Sequence, residues 1–167
     1  MDAHVNQLRH INMEEAISKF ETAAFHSCLK KQDKVKELFS TCSSSDEKYQ
    51  KIIELGRELP PFPATLKLDK NIVKGCQSLM YLSAELNSEG HVIFRAGSEA
   101  LISAGLASLL LSVYNDETPD VVLKCLPRFL TEIGIFASLT VGRSNGLASL
   151  YLKMKQECLN FLIKSSN

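Results

Sequence analysis

The chain has 167 residues, of which 45% are hydrophobic and 23% are charged, and its 19 basic residues balance its 19 acidic residues. This length and composition fit one compact domain and exclude disorder over the whole chain, because enough apolar surface is present to offset the entropy of ordering. The neutral net charge argues against a nucleic-acid binder that works by neutralising phosphates.

The sequence does not indicate a membrane-spanning or secreted protein. Its longest uncharged stretch, Ala100–Asn115, has 16 residues and includes serines, a glycine and an asparagine, whereas a bilayer-spanning helix needs about 20 consecutive apolar residues. The first 25 residues lack the apolar segment of a signal peptide and carry acidic side chains. We therefore expect a cytoplasmic protein whose five cysteines are free thiols, namely Cys28, Cys42, Cys76, Cys125 and Cys158.

Apolar residues at helical spacing predict two helices near the N-terminus. The first runs from Met13 to about Leu29, and the second is a short helix over Val35–Cys42 that a serine-rich segment ends. Residues 1–12 show no periodicity. We expect residues 1–30 to form a partly helical N-terminal extension and residues 31–167 to form the folded domain.

A capping motif predicts the start of a third helix. Ser44 and Glu47 have the spacing of a capping box, in which the hydroxyl and the carboxylate each bind a free backbone amide. This helix must end by Leu59, because the prolines that follow cannot continue a helix. An extended connector then leads to Asn71.

A β-hairpin is predicted in the middle of the chain. Apolar and polar residues alternate over Ser78–Leu86, which is typical of a strand with one buried face. Asn87–Gly90 has the composition of a hairpin turn, and His91–Ala96 forms the returning strand. Ser98 is expected to cap the next helix, whose apolar stripe is the strongest in the chain and should pack in the core against the hairpin.

The C-terminal part is expected to be helical again. Thr118 followed by proline predicts the start of a short helix, and Arg128–Phe136 a further one. Gly142–Gly146 has the composition of a loop, and the last amphipathic helix is expected to begin at Leu147. The order of elements indicates an α+β fold, with a small antiparallel sheet of two or three strands, hairpin about 78–96, packed against several helices.

The sequence carries few of the motifs that enzymes use. It contains no glycine-rich phosphate loop after a strand, no Cys-x-x-Cys pair and no His-Glu-x-x-His pattern. His26, Cys28 and Cys42 could together bind a metal, but structural zinc needs four ligands at short spacings. We therefore expect no metal and no cofactor.

Cys76 differs from the other cysteines in its setting. Cys28, Cys42 and Cys158 fall on apolar helix stripes, where a thiol behaves as a small hydrophobic group. Cys76 lies outside any periodic pattern, after Gly75, and nearby Lys70 and Lys74 could favour its thiolate. An inert loop cysteine remains the alternative on the residues alone.

Three segments occur in an order and spacing that resemble the SufE family. They are a KY-x-x-II-x-LG-x-x-LP helix at Lys48–Pro60, a GCQS loop within Val73–Ser78 and an RS-x-GL helix start within Gly142–Leu147. The resemblance extends over about residues 35–155. Each motif alone would be weak support, but three in the same order identify the chain as similar to this family.

The resemblance implies a function in iron–sulfur cluster assembly. SufE-like proteins accept sulfur from a pyridoxal-phosphate cysteine desulfurase (SufS-like), as a persulfide on one cysteine, and pass it to a cluster scaffold (SufBCD-like). They are partners of the desulfurase rather than independent enzymes, and need no metal or cofactor. The small fold is also similar to that of IscU-type scaffolds.

Carried over by position, the resemblance implies that Cys76 is the sulfur acceptor. Gly75, Gln77 and Ser78 would shape its loop, and Arg143 would organise the loop or contact the partner. The alternative for Arg143 is an ordinary solvated loop charge.

Glu99 stands where relatives often have aspartate, at the start of the helix after the hairpin, so it is a candidate partner-binding residue. Its alternative role is a favourable charge at a helix N-terminus, worth about 0.3–1 kcal/mol.

The sequence also departs from the family pattern. Relatives commonly have tryptophan where this chain has Tyr81, and residues 1–30 have no clear family equivalent. Two other functions stay open on sequence grounds: an iron–sulfur cluster scaffold of IscU-like fold, and a helical interaction module in which Cys76 is incidental. The chain could act as a monomer or a homodimer.

Overall fold

The computed structural model describes residues 12–167. In this part of the chain, seven helices and one hairpin make up the fold, with a two-stranded antiparallel sheet. This confirms the predicted α+β class. The elements are α1 (Met13–Ala24), α2 (His26–Phe39), α3 (Ser45–Glu58), β1 (Met80–Leu86), β2 (Val92–Ser98), α4 (Leu101–Tyr114), α5 (Pro119–Lys124), α6 (Arg128–Glu132) and α7 (Val141–Ser165), with short 3-10 turns at Ala64–Leu66, Asp69–Asn71 and Ile135–Ser138.

The single helix predicted from Met13 to Leu29 is two helices. The chain leaves helical geometry at Phe25, and the predicted second helix is the C-terminal part of α2. No side chain of α1 is buried, whereas α2 contributes Cys28, Val35 and Phe39 to the core. The predicted N-terminal extension begins in residues 1–11, which lie outside the described residues.

Helix α3 begins as the capping motif predicted. The Glu47 amide donates to Ser44 Oγ at 3.2 Å, while the Glu47 carboxylate accepts from the amide of Ser43 rather than that of Ser44. The helix then packs closely on α4. A Cβ atom on Gly105 would lie 1.8 Å from the Ile52 carbonyl oxygen, so this crossing requires a glycine.

The hairpin has the predicted strands with shifted ends. Its register pairs Met80 with Ser98 and Leu86 with Val92, and one face is buried in the core. Ser98 is therefore the last residue of β2, not the cap of α4. The N-cap is Ala100, and the Ser98 hydroxyl donates to the Leu79 carbonyl at 2.8 Å.

Helix α4 lies at the centre of the molecule. It is buried along nearly its whole length and packs against α3, β2 and α7. This confirms that the most apolar stripe of the sequence forms the core against the hairpin. Among residues 12–167, no helix has both the length and the hydrophobicity that crossing a membrane requires.

The predicted loop at Gly142–Gly146 is wrong. These residues are helical and form the first turns of α7, whose N-cap is Thr140. The Thr140 hydroxyl accepts a hydrogen bond from the Arg143 amide at 3.2 Å, which satisfies one of the free amides of the first turn. Helix α6 is also shorter than predicted and ends at Glu132, followed by Gly134 in the left-handed region.

Candidate functional site

The candidate site is a loop, residues 73–79, closed at its base by the sheet. The Val73 amide donates to the Met80 carbonyl at 2.8 Å, and Ile72 pairs with Tyr81 in an isolated bridge. Inside the loop, Gly75 has a φ of 88°. The positive φ favours glycine before Cys76. A Cβ there would also lie 2.7 Å from Ser149 Oγ of α7, so the Ser149 hydroxyl would have to rotate away.

Cys76 lies half-buried against the start of α7. Its thiol donates to the Gly146 carbonyl with a sulfur–oxygen distance of 3.6 Å. Gly146 lies next to this sulfur, and a Cβ atom added to Gly146 would be 3.5 Å from Cys76 Sγ. Cys76 and the RS-x-GL segment are thus in direct contact.

A small cavity adjoins the Cys76 side chain. Its volume is about 10 Å³, which is room for about one water-sized group. Apolar side chains from β1, α4 and α7 form most of its wall, namely Met80, Leu106, Leu147 and Leu150, and Cys76, Gln77, Ser103, Gly142, Arg143 and Gly146 complete it.

Arg143 joins the loop to the helical core. Its Nη1 nitrogen donates to Ser78 Oγ on the loop and to Ser103 Oγ on α4, each at 2.6 Å. The residue is therefore not a solvated loop charge. Gln77 is exposed, and its side chain lies over Gly142 in the first turn of α7.

Sequence reasoning missed Ser103. The signal was present, because a buried hydroxyl inside an otherwise apolar helix needs a hydrogen-bond partner. Its partner lies 40 residues further along the chain, so the pattern alone could not name Arg143.

Burial raises the pKa of the Cys76 thiol, and the positive charge of Arg143 opposes that rise. Lys70 and Lys74 were expected to favour the Cys76 thiolate, but the charge that lowers the pKa of this thiol is that of Arg143. Both lysines are exposed. In the resting structure the thiol is thus held mainly in its neutral form, because a partly buried thiolate loses hydration.

Glu99 is exposed in the bend between β2 and α4 and does not line the cavity beside Cys76.

Tyr81, which stands where the family commonly has tryptophan, stacks on Phe62 with ring centroids 5.5 Å apart. Phe62 also covers Gly97, the cross-strand partner of Tyr81. This aromatic pair supports the base of the loop, and Phe62 had not been singled out by sequence.

The other cysteines are free thiols in the body of the fold. Cys28, Cys125 and Cys158 are buried. The metal site considered at His26, Cys28 and Cys42 does not form. In the part of the chain that the structure describes, the one cluster of three potential ligands is Glu89, His91 and Asp116 near the hairpin turn, where His91 Nδ1 lies 3.0 Å from Asp116 Oδ1.

Comparison with known protein families identifies the family of this chain. Residues 33–158 match the SufE family, described as an "Fe-S metabolism associated domain". The chain belongs to the SufE family. Membership connects it with Fe–S metabolism; the division of the chain at residue 30 stays a prediction.

Individual SufE relatives agree with this assignment. The chain is 29% identical over 133 residues to an uncharacterized SufE-like protein of Synechocystis, covering 80% of this chain and 83% of that protein. It is 28% identical over 134 residues to "SufE-like protein 1, chloroplastic/mitochondrial" of Arabidopsis thaliana, covering 80% of this chain and 36% of that longer protein. The fold is similar to the solution structure of a hypothetical protein from Thermus thermophilus, with a TM-score of 0.66, 24% identity, and coverage of 80% of this chain and 96% of that one.

Proposed function

We propose that this SufE-family protein is a sulfur acceptor and activator for a cysteine desulfurase, and that Cys76 carries the sulfur. The single observation that supports this most is the position of Cys76: a half-buried thiol in a glycine-containing loop beside a cavity sized for about one small group. The protein acts as a partner in sulfur transfer rather than as an independent enzyme.

The transfer needs no cofactor on this chain. The Cys76 thiolate attacks the outer sulfur of a persulfide on the desulfurase, which forms a new sulfur–sulfur bond at Cys76. The bond to the desulfurase cysteine breaks, and that cysteine leaves as a thiolate that takes up a proton. Sulfur moves from one thiol to another with no net oxidation or reduction.

The surroundings of Cys76 suit a carrier that must avoid side reactions. The raised thiol pKa keeps the unloaded sulfur weakly nucleophilic until a partner docks. The apolar cavity next to the sulfur offers a position for the transferred atom away from oxidants, to which persulfides and thiolates are sensitive. Both features favour transfer within a complex over reaction in solution.

The proposed partners are a SufS-like pyridoxal-phosphate desulfurase and, downstream, a SufBCD-like scaffold. Around Cys76 the loop exposes Lys74, Gln77 and Leu79, and Leu79 is 48% exposed. A partner that contacts these side chains would reach the loop without disturbing the core. Glu99 stays a weaker candidate for the same surface.

A cluster scaffold of IscU-like fold is less well supported. A scaffold needs several converging ligands, commonly thiolates. The cavity beside Cys76 contains one thiol, and its other walls are apolar apart from Gln77, Ser103 and Arg143. These residues do not supply the donor set that a cluster requires.

The experiment that tests the proposal is sulfur loading followed by intact mass. Cysteine and a pyridoxal-phosphate desulfurase should add one sulfur atom to the wild-type chain and none to Cys76→Ser. Cys42→Ser, which removes another half-buried thiol, is the matched control and should load normally. Equal loading of Cys76→Ser and wild type would reject Cys76 as acceptor, and a stoichiometric chromophore after anaerobic addition of iron and sulfide would favour a scaffold.

A further inference from the structure

The hydrogen bond between Ser103 and Arg143 is unusual for its location. Ser103 is 7% exposed and lies in α4, where its neighbours along the buried face are apolar. Its hydroxyl accepts from Arg143 Nη1 at 2.6 Å. Burial of a hydroxyl is costly unless the hydroxyl is hydrogen-bonded, so this hydrogen bond offsets the cost of burying Ser103 in the core.

The two serine hydroxyls together determine where the guanidinium points. One terminal nitrogen of arginine carries two N–H groups, and Arg143 directs both from Nη1, one to Ser78 and one to Ser103. Ser78 belongs to the same loop as Cys76. Ser103 belongs to α4, the most deeply buried helix, so of the two acceptors it is the one that the packing of the core holds in place.

Arg143 is the one charged residue among those that line the cavity beside Cys76. Around the cavity, α4 contributes Ser103 and Leu106, and β1 contributes Met80, all of them uncharged. Helix α7 contributes Arg143, and the one charged side chain of the loop itself, Lys74, is exposed. The charge of Arg143 is also the one that lowers the pKa of the thiol against the effect of burial.

We propose that Ser103 is a positioning residue, which holds the Arg143 guanidinium beside the Cys76 loop so that its charge stabilises an anionic sulfur at Cys76. For the thiolate this needs only the geometry described above. For a terminal persulfide anion it rests on the proposed function. Without the Ser103 hydroxyl, Arg143 loses its buried acceptor and turns toward water, and the sulfur loses its neighbouring cation.

The test follows the alkylation of Cys76 by iodoacetamide, read at the Cys76 peptide by mass spectrometry across a pH series. Ser103→Val and Ser103→Thr form a matched pair that differs by a methyl or a hydroxyl at the same branch. We expect the valine variant to shift the pH midpoint upward and to lower the rate at pH 7 by about threefold to tenfold. The threonine variant should stay close to wild type.

Two further variants exclude a merely structural effect. Ser112→Ala removes an exposed hydroxyl from the same helix, one that donates to the Leu109 carbonyl, and should leave the pH profile unchanged. In an Arg143→Ala background, Ser103→Val should add no further shift, because Ser103 acts through Arg143. Thermal melting of each variant checks that the fold is kept.

The inference is overturned if Ser103→Val moves the profile no more than Ser112→Ala does, or if it shifts the profile further in the Arg143→Ala background. Should Ser103→Val fail to fold, the same comparison is made with Ser103→Ala and Ser103→Thr. Failure of sulfur loading with the expected alkylation profiles would reject the proposed function while leaving the positioning role of Ser103 intact.

Discussion

At the scale of single residues, the proposed sulfur transfer depends on one of the five thiols, Cys76, and the five differ in burial. The hydrogen bond with Cys125, together with burial, raises the pKa of Cys28, and the same hydrogen bond lowers the pKa of Cys125. Burial raises the pKa of Cys158 to about 12. Cys76 is half-buried, and the positive charge of Arg143 opposes the rise that burial causes in its pKa. The sequence could single out Cys76, because it fell outside every apolar stripe, but the identity of the cation depended on tertiary contacts.

The pH dependence of Cys76 alkylation should reflect its burial. The folded-state pKa is raised, so the thiol stays neutral up to a higher pH than in the unfolded chain. At a pH near the ordinary thiol pKa, Cys76 should react more slowly in the folded protein than in urea, and the difference should vanish at higher pH. Peptide-level alkylation rates measure this; a folded-state midpoint at or below that of the unfolded chain would contradict it.

Gly75→Ala should destabilise the protein by about 2–3 kcal/mol, because alanine is strained at a positive φ and its Cβ would meet Ser149 Oγ at 2.7 Å. Gly90→Ala is the matched control, with a φ of 78° and no atom within 4 Å of the added Cβ, and should cost about 1 kcal/mol. Urea denaturation gives both values. Equal losses for the two variants would show that the Ser149 contact is unimportant.

At the scale of elements, local signals predicted the helix and strand types well and their ends less well. The capping motif placed the start of α3 correctly, and the alternation of residues 78–86 gave the hairpin. Gly142–Gly146 was misassigned because its composition suits a loop, whereas Thr140 caps a helix that includes it. Tertiary packing of α7 outweighed the weak helix propensity of these residues.

Gly105→Ala tests the contact between α3 and α4. Alanine normally favours a helix interior over glycine, but here its Cβ would lie 1.8 Å from the Ile52 carbonyl oxygen. We expect a net loss of about 3 kcal/mol in the free energy of unfolding. Gly146→Ala, whose added Cβ would make only ordinary contacts of 3.5 Å or more, should change stability little; a neutral Gly105→Ala would mean that the two helices separate readily.

At the scale of the whole molecule, the core is built by α4 together with the hairpin and the helices that cover them. The family match, residues 33–158, contains all of the candidate site. The fold class could be predicted from the order of elements, and the family from three motifs. The cavity and the two hydrogen bonds of Arg143 to Ser78 and Ser103 could not be predicted, because each depends on residues far apart in the sequence.

Helix α1 contributes no buried side chain to this core. Removal of residues 1–24 should therefore change the melting temperature by less than about 2 °C and leave sulfur loading intact. Differential scanning calorimetry and the mass-based loading assay measure the two effects. A fall of more than about 5 °C would show that the N-terminal segment stabilises the domain.

The chain contains no tryptophan, and the stacked pair of Tyr81 and Phe62 stands directly at the foot of the loop that carries Cys76. Tyr81→Trp would consequently install a lone indole fluorophore at that point. Its fluorescence emission would report changes in the surroundings of Cys76 in real time, without a label on the cysteine itself.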